Sequence, residues 1–397
     1  MRRFKRYICL VGLLALLAAA LTGCGFSDDS VEELFTLPRM AEEYTGLTQE
    51  LEALITQGYE YASPTGGRNI QSVQMADLDG DGQQEALAFF RMSSDEKPLK
   101  IFVFKIEGDS YAHYCTIESS GTAIDSVYYQ DLNGDGRREL IVGWRISAEV
   151  QTVAVYTVAR EPVALMSSGY TRFTIQDLNG DGIPSLLVLR TDADSQPVAE
   201  FYGWQDEQMG VAYRCVLSST MASVNRGSLV SGRLDADTPA LYITGVDEQG
   251  MAATDILVFR QDLGLVNLAL SGSSTGVSNA VFPYRQLLPQ DINGDGIIEL
   301  PSPDTSWTAE QTDGLVSWLC CNGDGQLSTV AKTYHSLSCG WYFTIPESWW
   351  DWSVETATTS ISNENQFSLA INGDPVLSLY TITGENGEVY YDNTAEY

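Results

Sequence analysis

Asp131, Asn133, Asp135 and Glu139 place four oxygen-bearing side chains within the nine residues of "DLNGDGRRE". Oxygens at alternate positions of a tight, glycine-containing turn converge on one point, a chemistry suited to a hard divalent cation. The pattern returns as "DLDGDGQQE" from Asp77, "DLNGDGIPS" from Asp177 and "DINGDGIIE" from Asp291. A worn copy, "RLDADTPA", puts Asp235 where a further loop falls due, so the leading aspartates step by 54, 46, 58 and 56 residues. Incidental Asx-turns would explain single loops. Four carboxylates inside one coordination radius, as in the first loop, would repel and open the turn unless a cation held them.

The elements that must position these loops are strands. Some 21 to 25 residues after each leading Asp comes an apolar run: "IFVF" at Ile101, "VAVY" at Val153, "AEFY" at Ala199, "ILVF" at Ile256 and "VSWL" at Val316. A polar turn and a further strand-like segment follow each. One period thus reads strand, acidic loop, strand, strand, strand, and no 3.6-residue periodicity interrupts it between Gln71 and His335. Four short antiparallel strands per fifty-odd residues describe a propeller blade. The fold expected is all-β: a β-propeller of about five four-stranded blades over residues 67–338. "CCNGDGQ" at Cys320 imitates the motif, but it follows the third-strand run, where other repeats carry a plain turn such as "EGDS". Asn322 to Gly325 therefore reads as a hairpin turn.

Oxygens at positions 1, 3 and 5 with Gly at 6 match the first half of an EF-hand loop. Position 12 here is Ala88, Val142, Val188 or Ser302, and the acid falls at position 9 as Glu85, Glu139 or Glu299. That variant resembles the FG-GAP (VCBS-type) repeat of integrin-like propellers, over roughly two-thirds of the chain by repeat count. The resemblance implies Ca²⁺ in a loop joining the first two strands of a blade. It would be bound by Asp77, Asp79, Asp81, Glu85 and the Gln83 carbonyl; by Asp131, Asn133, Asp135, Glu139 and the Arg137 carbonyl; and by Asp291, Asn293, Asp295, Glu299 and the Ile297 carbonyl. Ser185 replaces the acid of the third loop, leaving Asp177, Asn179 and Asp181 as a weak site. No metal is expected at Asp235.

The ends differ from the middle. Arg2, Arg3, Lys5 and Arg6 precede an apolar run from Ile8 to Leu21, the layout of a secretory leader over 1–23. It closes on "LTGC", which resembles a bacterial lipobox and implies a diacylglyceryl anchor on Cys24 at the outer face of the cell membrane; two acyl chains anchor stably. Residues 24–66 read as a lipidated tether and helical linker, with a capping box at Ser30 and Leu47, Leu51, Leu54 and Ile55 on one helical face before Gly58. "YEYA" at Tyr59 is a candidate closing strand for the last blade. Residues 339–397 read as a small β-rich module, like those of Gram-positive repeat lipoproteins and left incomplete where the chain stops. Its tryptophans Trp341, Trp349, Trp350 and Trp352 are read as core rather than as a sugar-stacking platform.

Without the leader the chain holds 18 basic against 53 acidic residues. Such a charge repels nucleic acid and favours cations. The odd, scattered cysteines make no disulfide framework, although Cys339 could pair with Cys320 or Cys321. Cys320, Cys321, His335 and Cys339 mimic zinc spacing, but neighbouring residues on a strand face opposite ways. "GSSTG" at Gly272 satisfies G-x-S-x-G, yet Ser274 falls in an inter-blade loop with only His335 after it. These features suggest a lipid-anchored, calcium-stabilised module that binds or scaffolds at the cell surface, with a protein or glycan ligand. A propeller-type polysaccharide hydrolase or lyase, and an envelope assembly or adhesion factor with a protein partner, stay open as alternatives.

Overall fold

The computed structural model describes residues 42–392, apart from 206, 225, 247–251, 269–276, 280–286, 304–312, 338–339, 351–353, 362–363, 372 and 384–388. The leader, Ser30, Cys24, Ser274, Cys339 and Trp352 lie outside the described residues.

The described chain is almost wholly β, in six consecutive antiparallel sheets of four or five strands. Its strands are rich in aliphatic and aromatic residues at successive positions, as in "EALAFFR" (Glu85–Arg91) and "LKIFVFKIE" (Leu99–Glu107). Such strands carry apolar side chains on both faces, so a sheet of them must be covered twice. The sheets cover one another in chain order. Leu87, Phe89, Ile101 and Val103 of the first pack on Ile124, Leu140, Val142 and Trp144 of the second. The second sheet turns Ile141, Val153 and Val155 to Leu186, Val188 and Tyr202 of the third. Leu187, Leu189 and Phe201 then meet Leu241, Ile243 and Leu257 of the fourth, whose Tyr242, Ile256 and Val258 meet Leu300 and Cys321 of the fifth. Four-stranded sheets stacked face to face in sequence order are the blades of a β-propeller. All five third-strand runs lie in strands that pair on both sides. Asn322–Gly325 closes the hairpin between Asp313–Cys321 and Leu327–Ser336, with the Asn322 N–H donating to the Gln326 carbonyl at 2.9 Å.

Three expectations about the ends are corrected. The helix is Glu42–Thr56, and it docks on the first sheet, though not through all four residues expected on its inner face. Tyr44, Leu47, Leu51 and Leu54 cover the outward face of the first sheet, on Ala88, Phe90, Phe102 and Phe104. Ile55 turns away, 47% exposed, because the inward stripe needs only the 3–4 spacing through Leu54. Glu60–Tyr61 does not close the last blade. It pairs with the first sheet, Glu60 opposite Arg91 and Tyr61 opposite Phe90, where the inner strand Val73–Ala76 has run out. Trp341–Thr344, expected in the C-terminal module, is instead the outer strand of the fifth sheet, paired with Thr333–Ser336.

A sixth sheet follows, from Val354–Ile361, Glu364–Ile371, Asp374–Thr383 and Val389–Asp392. Trp341, Trp349 and Phe343 pack with Tyr334 and Leu377 between the fifth and sixth sheets. Trp350 donates its indole N–H to the Ile345 carbonyl at 3.1 Å. These tryptophans are packing residues.

Leu47, 6% exposed, is the helix residue most completely buried against the first sheet. Leu47→Ala is expected to cost about 2–4 kcal/mol of unfolding free energy through the cavity it leaves, against about 0.5 kcal/mol or less for Ile55→Ala. Urea denaturation of both variants measures this. Equal midpoints would mean that the helix does not dock.

Candidate functional site

The first four loops connect an inner strand to the next strand of their sheets, and the fifth runs from Gln290, which bridges Glu299, into the strand Leu300–Pro303. In the second loop the Asp131 carboxylate accepts the Gly134 N–H at 2.6 Å on one oxygen and the Gly136 N–H at 2.9 Å on the other. Asp135 accepts the Arg137 N–H at 2.8 Å. The same clamps recur from Asp77 to Gly80 and Gly82, from Asp177 to Gly180 and Gly182, and from Asp291 to Gly294 and Gly296. Both glycines of every loop are left-handed, with φ between 73° and 86°, a conformation that side chains disfavour. The loops touch one another: a Cβ on Gly80 would collide with the Gly136 carbonyl oxygen, and the Arg138 N–H donates to the Leu78 carbonyl at 2.7 Å.

The ninth-position acid does something different. Glu85, Glu139 and Glu299 are 2%, 4% and 1% exposed. Each accepts the backbone N–H of the second loop residue: Leu78 at 2.7 Å, Leu132 at 2.8 Å and Ile292 at 3.0 Å. Burial pushes all three carboxyls above their usual range, and the backbone bond offsets it only in part. Glu299 also accepts the Asn293 side-chain amide at 3.3 Å. A buried carboxylate met only by neutral donors is costly unless a cation compensates it.

In the first loop a cation is built in. Lys105 Nζ donates to Asp79 and lies 3.5 Å from Glu85 Oε1, with its ammonium 5.0 Å from the centre of the Tyr114 ring. The bond from Lys105 holds the Asp79 carboxyl below its usual range. Burial opposes charge on Lys105, but Asp79 and Glu85 outweigh it and raise its pKa. Asp77, Asp79 and Glu85 bring one carboxylate oxygen each within 4.8 Å of the others; Asp81 stays outside that group. The strand register places Thr157 and Cys320 where Lys105 stands. Burial, then the carboxylates of Glu299 and Asp295, push the Cys320 thiol up, so it supplies no charge. Among the described residues no basic side chain bonds to Glu139 or Glu299. Sequence reasoning missed Lys105; the signal was "IFVFK" beside "VAVYT", a basic residue directly after the third-strand run of a repeat that keeps its ninth-position acid.

The other loops are poorer. The third keeps Asp177, Asn179 and Asp181 but has Ser185 at the strand start. In the fourth, Leu234 fills the buried second position taken by Leu78, Leu132 and Leu178 elsewhere. Arg233 therefore stands first, and Asp235 is third rather than leading. Gly232 lies opposite Ala240, so the loop is one residue short and the acid is lost. Asp235 merely accepts the Asp237 and Thr238 N–H groups at 3.0 and 2.8 Å. Cys321 points into the core between the fourth and fifth sheets. The His335 imidazole stacks on Tyr342 with its pKa lowered by burial to about 4, packing that no zinc role requires.

No protein-family model matches the sequence, and no curated protein matches it. Among solved structures it is similar to Sqt1 of Saccharomyces cerevisiae, at 12% identity and a TM-score of 0.30 over 83% of this chain and 76% of that one. It is also similar to the β-propeller domain of the Trilobed protease from Pyrococcus furiosus, described as having an open velcro topology, at 12% identity and a TM-score of 0.28 over 82% and 84%. Such scores carry no argument; the fold rests on the sheets themselves.

Glu139 yields a test with a sign. Its folded pKa is raised, so its contribution to stability is fully present below the unfolded carboxyl value and is lost as pH rises through the folded one. Glu139→Gln keeps an oxygen for the Leu132 N–H and removes the charge. In chelator at pH 7 the variant is expected to melt higher than the parent, with the gap closing towards pH 4. A variant that melts lower at pH 7 would show that the charge is already compensated.

Proposed function

We propose that the chain is a calcium-stabilised β-propeller, lipid-anchored through Cys24 outside the cytoplasmic membrane, that serves as a binding or scaffolding module. The observation that carries the calcium reading is the pair of buried, uncompensated carboxylates, Glu139 and Glu299, each beside an oxygen-rich turn. The residues present fit the ion. Asp131, Asn133, Asp135 and Glu139 offer oxygens only, as do Asp291, Asn293, Asp295 and Glu299. Bound there, Ca²⁺ would supply the positive charge those carboxylates lack. The backbone clamps from the leading aspartate pre-form the turn, so little ordering is left for binding to cost.

A ligand that binds only the folded state stabilises it by about 2.7 kcal/mol at a hundredfold excess over Kd. Millimolar calcium is therefore expected to raise the melting temperature and to reverse the advantage of Glu139→Gln. By calorimetric titration, Asp131→Ala should lose one equivalent, Asp177→Ala should weaken a site, and Asp235→Ala should lose none. Lys105→Met should strengthen binding at the first loop, where the ammonium competes. Identical melting in calcium and in chelator would refute the ion, and an equivalent lost on Asp235→Ala would refute the residue assignment.

The anchor rests on "LTGC" and the basic, apolar leader before it. Cys24→Ser is expected to move the protein from the membrane to the soluble fraction or to block its processing. A processed variant that partitions with membranes as before would refute the anchor.

A further inference from the structure

The inner strands of the first three sheets enclose a cavity of about 870 Å³ that none of the acidic loops fills. Its floor is a closed hydrogen-bond network. Tyr129 Oη donates to the buried Gln74 at 2.6 Å, and Gln74 Nε2 donates to the Asn69 and Gln71 carbonyls at 3.0 Å each. Asn69 in turn donates to the Val127 carbonyl at 3.1 Å. These polar groups are satisfied internally and are held rigid.

The walls are the opposite. Arg68 and Arg138 both line the cavity and are exposed. Neither guanidinium has an acidic partner or a hydrogen bond among the described residues, in a chain with 53 acids to 22 bases. The side-chain amides of Gln71, Gln84 and Gln130 are equally unengaged. Asp77 is the acid on the lining, and both its oxygens already accept the Gly80 and Gly82 N–H groups. Tyr128 and Phe173 add aromatic surface, with their rings packed edge to face at 5.6 Å.

We propose that this cavity binds an acidic saccharide, a hydroxylated ring bearing a carboxylate. Guanidiniums match carboxylates in planar, paired hydrogen bonds. Amides offer a donor and an acceptor together, which suits ring hydroxyls, and the aromatic surface suits the C–H faces of a sugar. The volume lies within the usual range for a small-molecule site. The chain's overall negative charge does not forbid an anion here, because at physiological salt exposed charges are screened beyond about 8 Å. The proposal names a ligand class for the binding module and rests on that reading, but on neither the ion nor the anchor.

The test is calorimetric titration of the full mature chain, in calcium, with trigalacturonic acid, its methyl ester, tetraglutamate and inorganic phosphate. The acid trisaccharide is expected to bind about tenfold or more tighter than the other three. Arg68→Gln and Arg138→Gln, both at exposed positions, should each weaken it about tenfold, the scale of one charge-assisted pair, with melting temperature unchanged. Equal binding of the ester, or no effect of either variant, overturns the guanidinium role. Tighter binding of tetraglutamate makes this a peptide site, and tighter binding of phosphate makes it a simple anion site. No binding of the trisaccharide overturns the ligand class; the calcium response of the same sample then reports separately on whether the ion reading stands.

Discussion

One hydrogen bond ties the acidic loops to the body of the protein. The carboxylate at the start of the second strand accepts the N–H of the second loop residue. In the first two loops that residue buries its side chain between two sheets, whereas Ile292 is half-buried on the fifth sheet. Leu78 sits in the core shared by the first and second sheets, and Leu132 in the core shared by the second and third. A loop that loses this bond would leave a buried N–H unpaired, at about 1–3 kcal/mol, and would loosen a plug in the interface between blades. Loop geometry and blade packing are therefore one problem. The carboxylate that solves it brings a charge into the interior, and that charge has to be met from outside the loop's own backbone.

The second constraint is that the first four sheets are apolar on both faces. Sheets two to four meet it with a neighbour on each side. Among the described residues the first sheet packs on another sheet on one side, and on the other it meets the constraint with the helix Glu42–Thr56. That helix occupies the face which a closed ring would give to a last blade. Leu47, Leu51 and Leu54 reach the aromatic surface of Phe90, Phe102 and Phe104, and a helix covers that face without adding a sheet edge. The short strand Glu60–Tyr61 then runs into the first sheet itself, with Tyr61 stacked on Phe90 at 4.5 Å.

What the sequence made legible was local and periodic. The repeat of acidic turns, the third-strand runs and the Asn322 hairpin all follow from short-range chemistry that a fixed period multiplies. What it hid depends on contacts between distant residues. Lys105 reaches Asp79 across a strand pair, 26 residues away. Periodicity marks it as a strand residue and says nothing of where its ammonium lands. Asp235 was misplaced by two positions because an aspartate was matched to an aspartate. The buried Leu234 is the better marker, since a plug between sheets is harder to move than a ligand that has lost its ion. Tyr59–Ala62 could have paired with any exposed edge, and two-residue strands are decided by which edge is nearest. Trp341 was assigned to the wrong sheet for the same reason: an outer strand has no signature beyond the strand it joins.

These contrasts place the loops in an order of self-sufficiency. In the fourth, the acid at the strand start has given way to Ala240 and an arginine leads, so no interior charge remains to be met. In the first, the charge of Glu85 is met by Lys105, a cation that is covalently part of the fold and always present. A tethered ammonium needs no ion in the medium, but it gives three donors in place of a coordination shell and can neutralise the loop only in part. In the second and fifth, Thr157 and Cys320 stand at that register and offer no charge. Each step in the series exchanges dependence on the surroundings for a fixed residue, and the loops left without one bury their carboxylates beside neutral donors alone. On the proposed reading, a chain of this kind would loosen first at its second and fifth blades when calcium falls, while the helix-capped first blade held.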